Sequence, residues 1–88
     1  MSKIRPTILV FNSGSGTGFQ ELVENSWTNV LNAQIVGLVT NNPDYPCVQR
    51  AINLGIEPCI MSAFTEERYK GILDCYRPDF IALSGWLK

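Results

Sequence analysis

Apolar positions recur along this chain in short runs and in longer, spaced stripes. Thr7-Ile8-Leu9-Val10-Phe11 is a short β-branched and apolar run. Ile35-Val36-Gly37-Leu38-Val39-Thr40 is a second, too uniformly apolar to leave one face in water. Both predict buried strands. Between them Phe19, Leu22, Val23, Trp27, Val30 and Leu31 recur at three- and four-residue steps, which predicts a helix with that stripe, Trp27 included, packed inward. Asn41-Asn42-Pro43 stops the second strand. A second helix is expected from Pro46 to Leu54, with Val48, Ala51 and Ile52 facing in and Gly55 as a left-handed C-terminal cap. Cys59-Ile60-Met61 is a brief third strand after Pro58. Thr65 can cap a third helix whose first turn carries Glu66 and Glu67, where the macrodipole favours carboxylates. Its inner face would be Tyr69, Ile72, Leu73 and Tyr76, and Arg77-Pro78 would end it. Phe80-Ile81-Ala82-Leu83-Ser84 is a fourth strand.

The order βαβαβαβ, with continuous apolar strands joined by helical crossovers, implies an α/β fold: a parallel sheet covered on both faces. Right-handed crossovers make it Rossmann-like and doubly wound. The chain stops at Gly85-Trp86-Leu87-Lys88, just after the fourth strand, with large apolar residues where a covering helix would be expected. The expectation is therefore the first half of a larger unit, spanning residues 1–88.

Composition narrows the function classes. The 88 residues are 45% hydrophobic, enough for a core, and carry a net charge of −1, so no basic field draws nucleic acid or an anionic membrane. The longest apolar run, Ile35 to Val39, is far short of the ~20 residues of a membrane span. No secretory apolar region precedes Asn12, so a cytoplasmic protein is expected. Cys47, Cys59 and Cys75 are widely spaced and odd in number, which suits buried or semi-buried free thiols, with neither a disulfide framework nor a zinc site. The chain has no histidine.

The stretch "FNSGSGTGFQ", residues 11–20, carries the chemistry. In an open parallel sheet, ligands bind beyond the carboxyl ends of the strands, at the switch point beside strand one. Backbone N–H groups of a glycine loop, added to those of the following helix, make an anion site, and Ser13, Ser15 and Thr17 add hydroxyls. No lysine follows Gly16 or Gly18, so the P-loop pattern for nucleoside triphosphates fails. The dinucleotide fingerprint fails as well, because Phe19 stands where its third glycine belongs and strand two ends in Thr40-Asn41-Asn42 with no carboxylate for a ribose hydroxyl. A single phosphate monoester fits better.

"SGSGTGFQ", "GLVTNN", "AINLGI" and "YRPDFIALSGWL" follow the order and spacing of the phosphoribosylglycinamide formyltransferases, whose pattern runs SGxGSNLQ, a strand ending SN, AxxxGI and YxPDxxxLAGFMRI. The resemblance covers Thr7 to Lys88. It implies transfer of a formyl group from 10-formyltetrahydrofolate to the amine of glycinamide ribonucleotide in purine biosynthesis. By that resemblance Ser15, Gly16, Thr17, Gly18 and Phe19 cradle the phosphate and ribose of the substrate. Gly18 replaces the pattern's asparagine and loses a side-chain donor. Trp86, Leu87 and Lys88 match part of the folate pocket, and Arg68 is a weaker folate candidate. The family's catalytic asparagine, histidine and aspartate have no counterpart in these residues, so no catalytic residue is assigned and the chain alone is expected to be inactive. Small-molecule substrates and no metal are implied, with a homodimer conceivable for the full-length protein. The alternative is a non-catalytic phosphate- or nucleotide-binding Rossmann-like module. Asp79 is expected as a turn residue bonding local backbone N–H groups, and Trp86 as part core filler, part pocket wall.

Overall fold

A computed structural model of the chain describes residues 5–28, 31–63 and 65–86. Seven elements alternate: β1 (Thr7–Phe11), α1 (Thr17–Trp27), β2 (Gln34–Thr40), α2 (Pro46–Asn53), β3 (Pro58–Ile60), α3 (Glu66–Tyr76) and β4 (Phe80–Leu83). The four strands form one parallel sheet in the order β3-β2-β1-β4. This is the expected Rossmann-like α/β arrangement. The chain steps outward from β1 to β3 on one side, then crosses to β4 on the other. The reversal of direction lies between β1 and β4, the place where such sheets open a crevice.

Strand alternation divides the core into two layers. Val10 faces α1 and α2, packing with Phe19, Val23, Ile35, Leu38, Cys47 and Ala51. Leu9 and Phe11 face α3, packing with Val39 and Met61 and against Tyr69, Ile72, Tyr76 and Trp86. Opposite β1, the register of β2 steps from Ile35 to Gly37, leaving Val36 as an extra residue. That bulge resets the alternation and lets Ile35 and Leu38 share one layer.

The helices end largely as their sequences require. Gly55 takes φ +78° just past α2. The Thr65 side chain accepts from the Arg68 N–H at 3.2 Å to cap α3. Arg77 adopts φ 49° and gives its N–H to the Leu73 carbonyl at 2.7 Å.

Three inward assignments need correction. Trp27 is 62% exposed, because the buried line of α1 runs Phe19, Val23, Ser26, and a helix turns about 100° from Ser26 to its neighbour. Ile52 is 54% exposed for the same reason: Cys47 and Ala51, one turn apart, form the inward edge of α2. The inner face of α3 is as expected, with Tyr69, Ile72, Leu73 and Tyr76 half-buried and the rest of the helix exposed. Cys75, expected to be buried or semi-buried, is exposed. Covering of the sheet is also incomplete, since Phe80 and Leu83 of β4 are each more than half exposed. Val30, expected in the first helix, lies outside the described residues.

Candidate phosphate loop and the comparisons

The segment after β1 is anchored at every step. Asn12, buried, gives its N–H to the Val39 carbonyl at 3.0 Å, accepts the Gly14 N–H on Oδ1 at 2.9 Å, and donates through Nδ2 to the Ser84 carbonyl. The Ser13 N–H reaches the Gly85 carbonyl at 3.0 Å. The Gly14 carbonyl accepts the Cys47 N–H at 3.0 Å, and the Ser15 carbonyl accepts Arg50 Nε at 2.7 Å. The second arm of Arg50, Nη1, meets Gln20 Oε1. The loop is thus tied to β2, to the end of β4 and to α2.

These anchors orient the donors of the loop. In a trans peptide the carbonyl and the following N–H point in opposite directions. With the Gly14 and Ser15 carbonyls held by α2, the N–H groups of Ser15 and Gly16 point away from α2. Gly16, with φ +82°, is the N-cap of α1, and its carbonyl accepts the Gln20 N–H at 2.8 Å as the helix begins. The N–H groups of Thr17, Gly18 and Phe19, in the first turn, have no acceptor within the helix. The hydroxyls of Ser15 and Thr17 lie 3.5 Å apart on the exposed rim. Phe19 is fully buried in the core, so only its backbone N–H faces the site. Such an array suits an anion.

Two glycines let neighbours approach closely here. A Cβ on Gly16 would lie 2.7 Å from Cys47 Cβ and 2.8 Å from Cys47 Cα, so the loop backbone lies directly on α2. A Cβ on Gly18 would run into Ser84 Oγ, across the crevice between α1 and the end of β4. A groove of about 350 Å³ opens beside the first turns of α1, lined by Thr17, Gly18, Gln20, Glu21, Glu24 and Arg50. Its Glu21 and Glu24 side repels anions and favours placement at the loop end.

The sequence reading identified the loop but missed Arg50, because the signal that α2 returns to the loop is tertiary. The folate candidates are dispersed. Trp86 packs edge-on against Phe11, with ring centroids 5.2 Å apart, beside the Tyr69 ring on the same phenylalanine. Arg68 lines a separate groove of about 450 Å³ between β3 and α3, together with Glu57, Cys59, Cys75 and Tyr76. Leu87 and Lys88 lie outside the described residues. Within that second groove, burial, then Cys75 and Glu57, push the Cys59 thiol above its ordinary pKa, and burial likewise raises the Tyr76 phenol. Both groups are held protonated at neutral pH. Asp79 acts differently from the expected local turn. Its Oδ2 accepts the Thr7 N–H at 2.8 Å, joining the start of β4 to the start of β1 across the sheet.

Among the described residues, no helix is long and apolar enough to cross a membrane. No family model matches the chain. It is 30% identical over 92 residues to the chloroplastic phosphoribosylglycinamide formyltransferase of Arabidopsis thaliana, covering 96% of this chain and 32% of that protein. The glycinamide ribonucleotide transformylase 1 of Geobacillus kaustophilus superposes with a TM-score of 0.86 at 25% identity, over 96% of this chain and 48% of its own. The corresponding enzyme of Symbiobacterium toebii gives a TM-score of 0.85 at 20% identity, over 96% and 43%; at that identity the likeness is one of fold. The chain thus spans about a third of the curated relative and just under half of these two solved structures. In sequence and in fold, this chain is similar to part of the phosphoribosylglycinamide formyltransferases.

Proposed function

We propose that this chain is the substrate-phosphate-binding part of a formyltransferase that moves a formyl group from 10-formyltetrahydrofolate to the amine of glycinamide ribonucleotide. The observation that carries the reading is the Ser15–Phe19 segment. It combines outward-pointing loop N–H groups, a free helix N-terminus and two hydroxyls at the β1–β4 switch point, in a chain whose relatives bear that enzyme's name. Ser15, Gly16, Thr17, Gly18 and Phe19 hold the phosphate and adjoining ribose, chiefly through backbone donors. Arg50 braces the loop. Trp86 forms a wall of the folate site; Leu87, Lys88 and, more weakly, Arg68 are its further candidates by the family resemblance alone.

Formyl transfer requires the substrate amine to lose a proton while an oxyanion forms on the formyl carbon. The chain has no histidine, the residue to which the family resemblance gives that proton. On this reading the 88 residues bind substrate and do not turn it over on their own. A formyl-transfer assay on the chain, paired with isothermal titration of glycinamide ribonucleotide, tests the reading. Binding without turnover supports it. Turnover by the chain refutes the division of labour, and absence of binding refutes the phosphate loop.

A further inference from the structure

Two departures from the family pattern touch each other in the fold. Gly18 stands where the pattern has asparagine, and Ser84 where it has alanine. They are 66 positions apart in sequence (84 − 18), yet a Cβ on Gly18 would run into Ser84 Oγ. The serine hydroxyl therefore occupies the space where a side chain at position 18 would begin.

Ser84 is held firmly. Its N–H donates to the Phe11 carbonyl at 2.9 Å, and its carbonyl accepts Asn12 Nδ2. With the backbone pinned on both sides, the hydroxyl projects from a fixed point at the end of β4. The residue is half-buried, and among the described residues no hydrogen bond engages its Oγ. It faces the first turn of α1, whose N–H groups await an acceptor. A hydroxyl can donate as well as accept, so it can join those N–H groups on a shared oxygen.

We propose that the Ser84 hydroxyl is a substrate-contacting, specificity-determining group that donates a hydrogen bond to a phosphate or ribose oxygen held at the loop. It does so from the volume that a side chain at position 18 would fill. Gly18 and Ser84 are then one unit: the glycine makes room, and the serine returns the polar group that the loop has lost. This inference rests on the phosphate-loop reading above.

The test is a titration of the ¹⁵N-labelled chain with ribose 5-phosphate, following the amides of Ser15 to Phe19. The variants are Ser84→Ala, Gly18→Asn and the double variant. Ser84→Ala should weaken binding about tenfold, the loss expected for one hydrogen bond to a charged group, with thermal stability unchanged. Gly18→Asn alone should lower stability through overlap with Ser84. The double variant should recover stability and regain part of the affinity. If the wild-type amides respond and Ser84→Ala binds equally well, the inference is wrong while the phosphate loop stands. If Ser84→Ala alters melting but leaves affinity unchanged, the serine is structural and the inference is again wrong. If the wild-type amides do not respond, the phosphate-loop reading falls and takes this one with it.

Discussion

Replacing Gly16 by alanine should be among the most damaging single changes in this chain, and its cost follows from two features of one residue. The first is backbone conformation: φ is +82°, and an L side chain in the left-handed region costs ~1–2 kcal/mol. The second is space. The new Cβ would lie 2.7 Å from Cys47 Cβ and 2.8 Å from Cys47 Cα. These are atoms at the start of α2 with no freedom to swing aside, unlike the end of a long side chain. Overpacking against such neighbours typically costs ~1–3 kcal/mol. The two together give roughly 2–5 kcal/mol, a large share of the ~5–15 kcal/mol that stabilises a whole domain. For a chain of this size each kcal/mol is worth ~4–8 °C, so the melting temperature should fall by at least ~8 °C. Thermal unfolding followed by far-ultraviolet circular dichroism measures this directly. Gly14→Ala is the control, because a Cβ there meets nothing within 4 Å and φ is not positive. If Gly16→Ala melts within ~3 °C of Gly14→Ala, the loop does not lie against α2 as described.

Other expectations follow from single contacts. Arg50→Gln removes the donor on the Ser15 carbonyl; it should cost about 1 kcal/mol and accelerate amide exchange at Ser15 and Gly16 ahead of the sheet, whereas Arg50→Lys should restore only part of the protection because it lacks the planar fork. Asp79→Ala leaves the Thr7 N–H without its acceptor and should cost about 1–2 kcal/mol in urea unfolding, with Asp79→Asn retaining part of the stability. Iodoacetamide should modify exposed Cys75 first, half-buried Cys59 later and buried Cys47 only on unfolding, as read by peptide mass spectrometry. The raised Cys59 and Tyr76 pKa values mean that the folded chain holds those protons more tightly than the unfolded one. Their contribution is intact below the ordinary thiol and phenol ranges and is lost as pH climbs through them. Urea midpoints should therefore fall at alkaline pH, and less steeply in Cys59→Ser.

Legibility tracked how local the cause was. β1 was legible from Thr7 to Phe11 because a continuous apolar run bounded by turn residues leaves little choice. Gly55 and Thr65 were legible as caps because capping is a matter of backbone geometry within one turn. Trp27 and Ile52 were misjudged because periodicity names a stripe, whereas its exact bearing depends on which small residue, Ser26 or Ala51, lets the helix approach the sheet. Asp79 was read as a local turn because its partner, Thr7, is 72 positions away. At the site, the glycine loop stood out by composition; Arg50 and Ser84 did not, since an isolated arginine in a helix and a serine after a strand carry no local signal.

By itself, the sequence determined the alternation of strands and helices, the parallel sheet and the position of a glycine-rich loop after β1. These follow from apolar periodicity, from crossover handedness and from glycines that only a special backbone requires. Tertiary structure decided what surrounds that loop. It brought α2 beneath it so that Cys47 and Arg50 hold two carbonyls and aim the next N–H groups outward, and it set the Ser84 hydroxyl against Gly18. The physical reason is range. Backbone preference and burial pattern act over a few residues, whereas a binding site is made by groups that become neighbours only after the sheet has closed the distance between them.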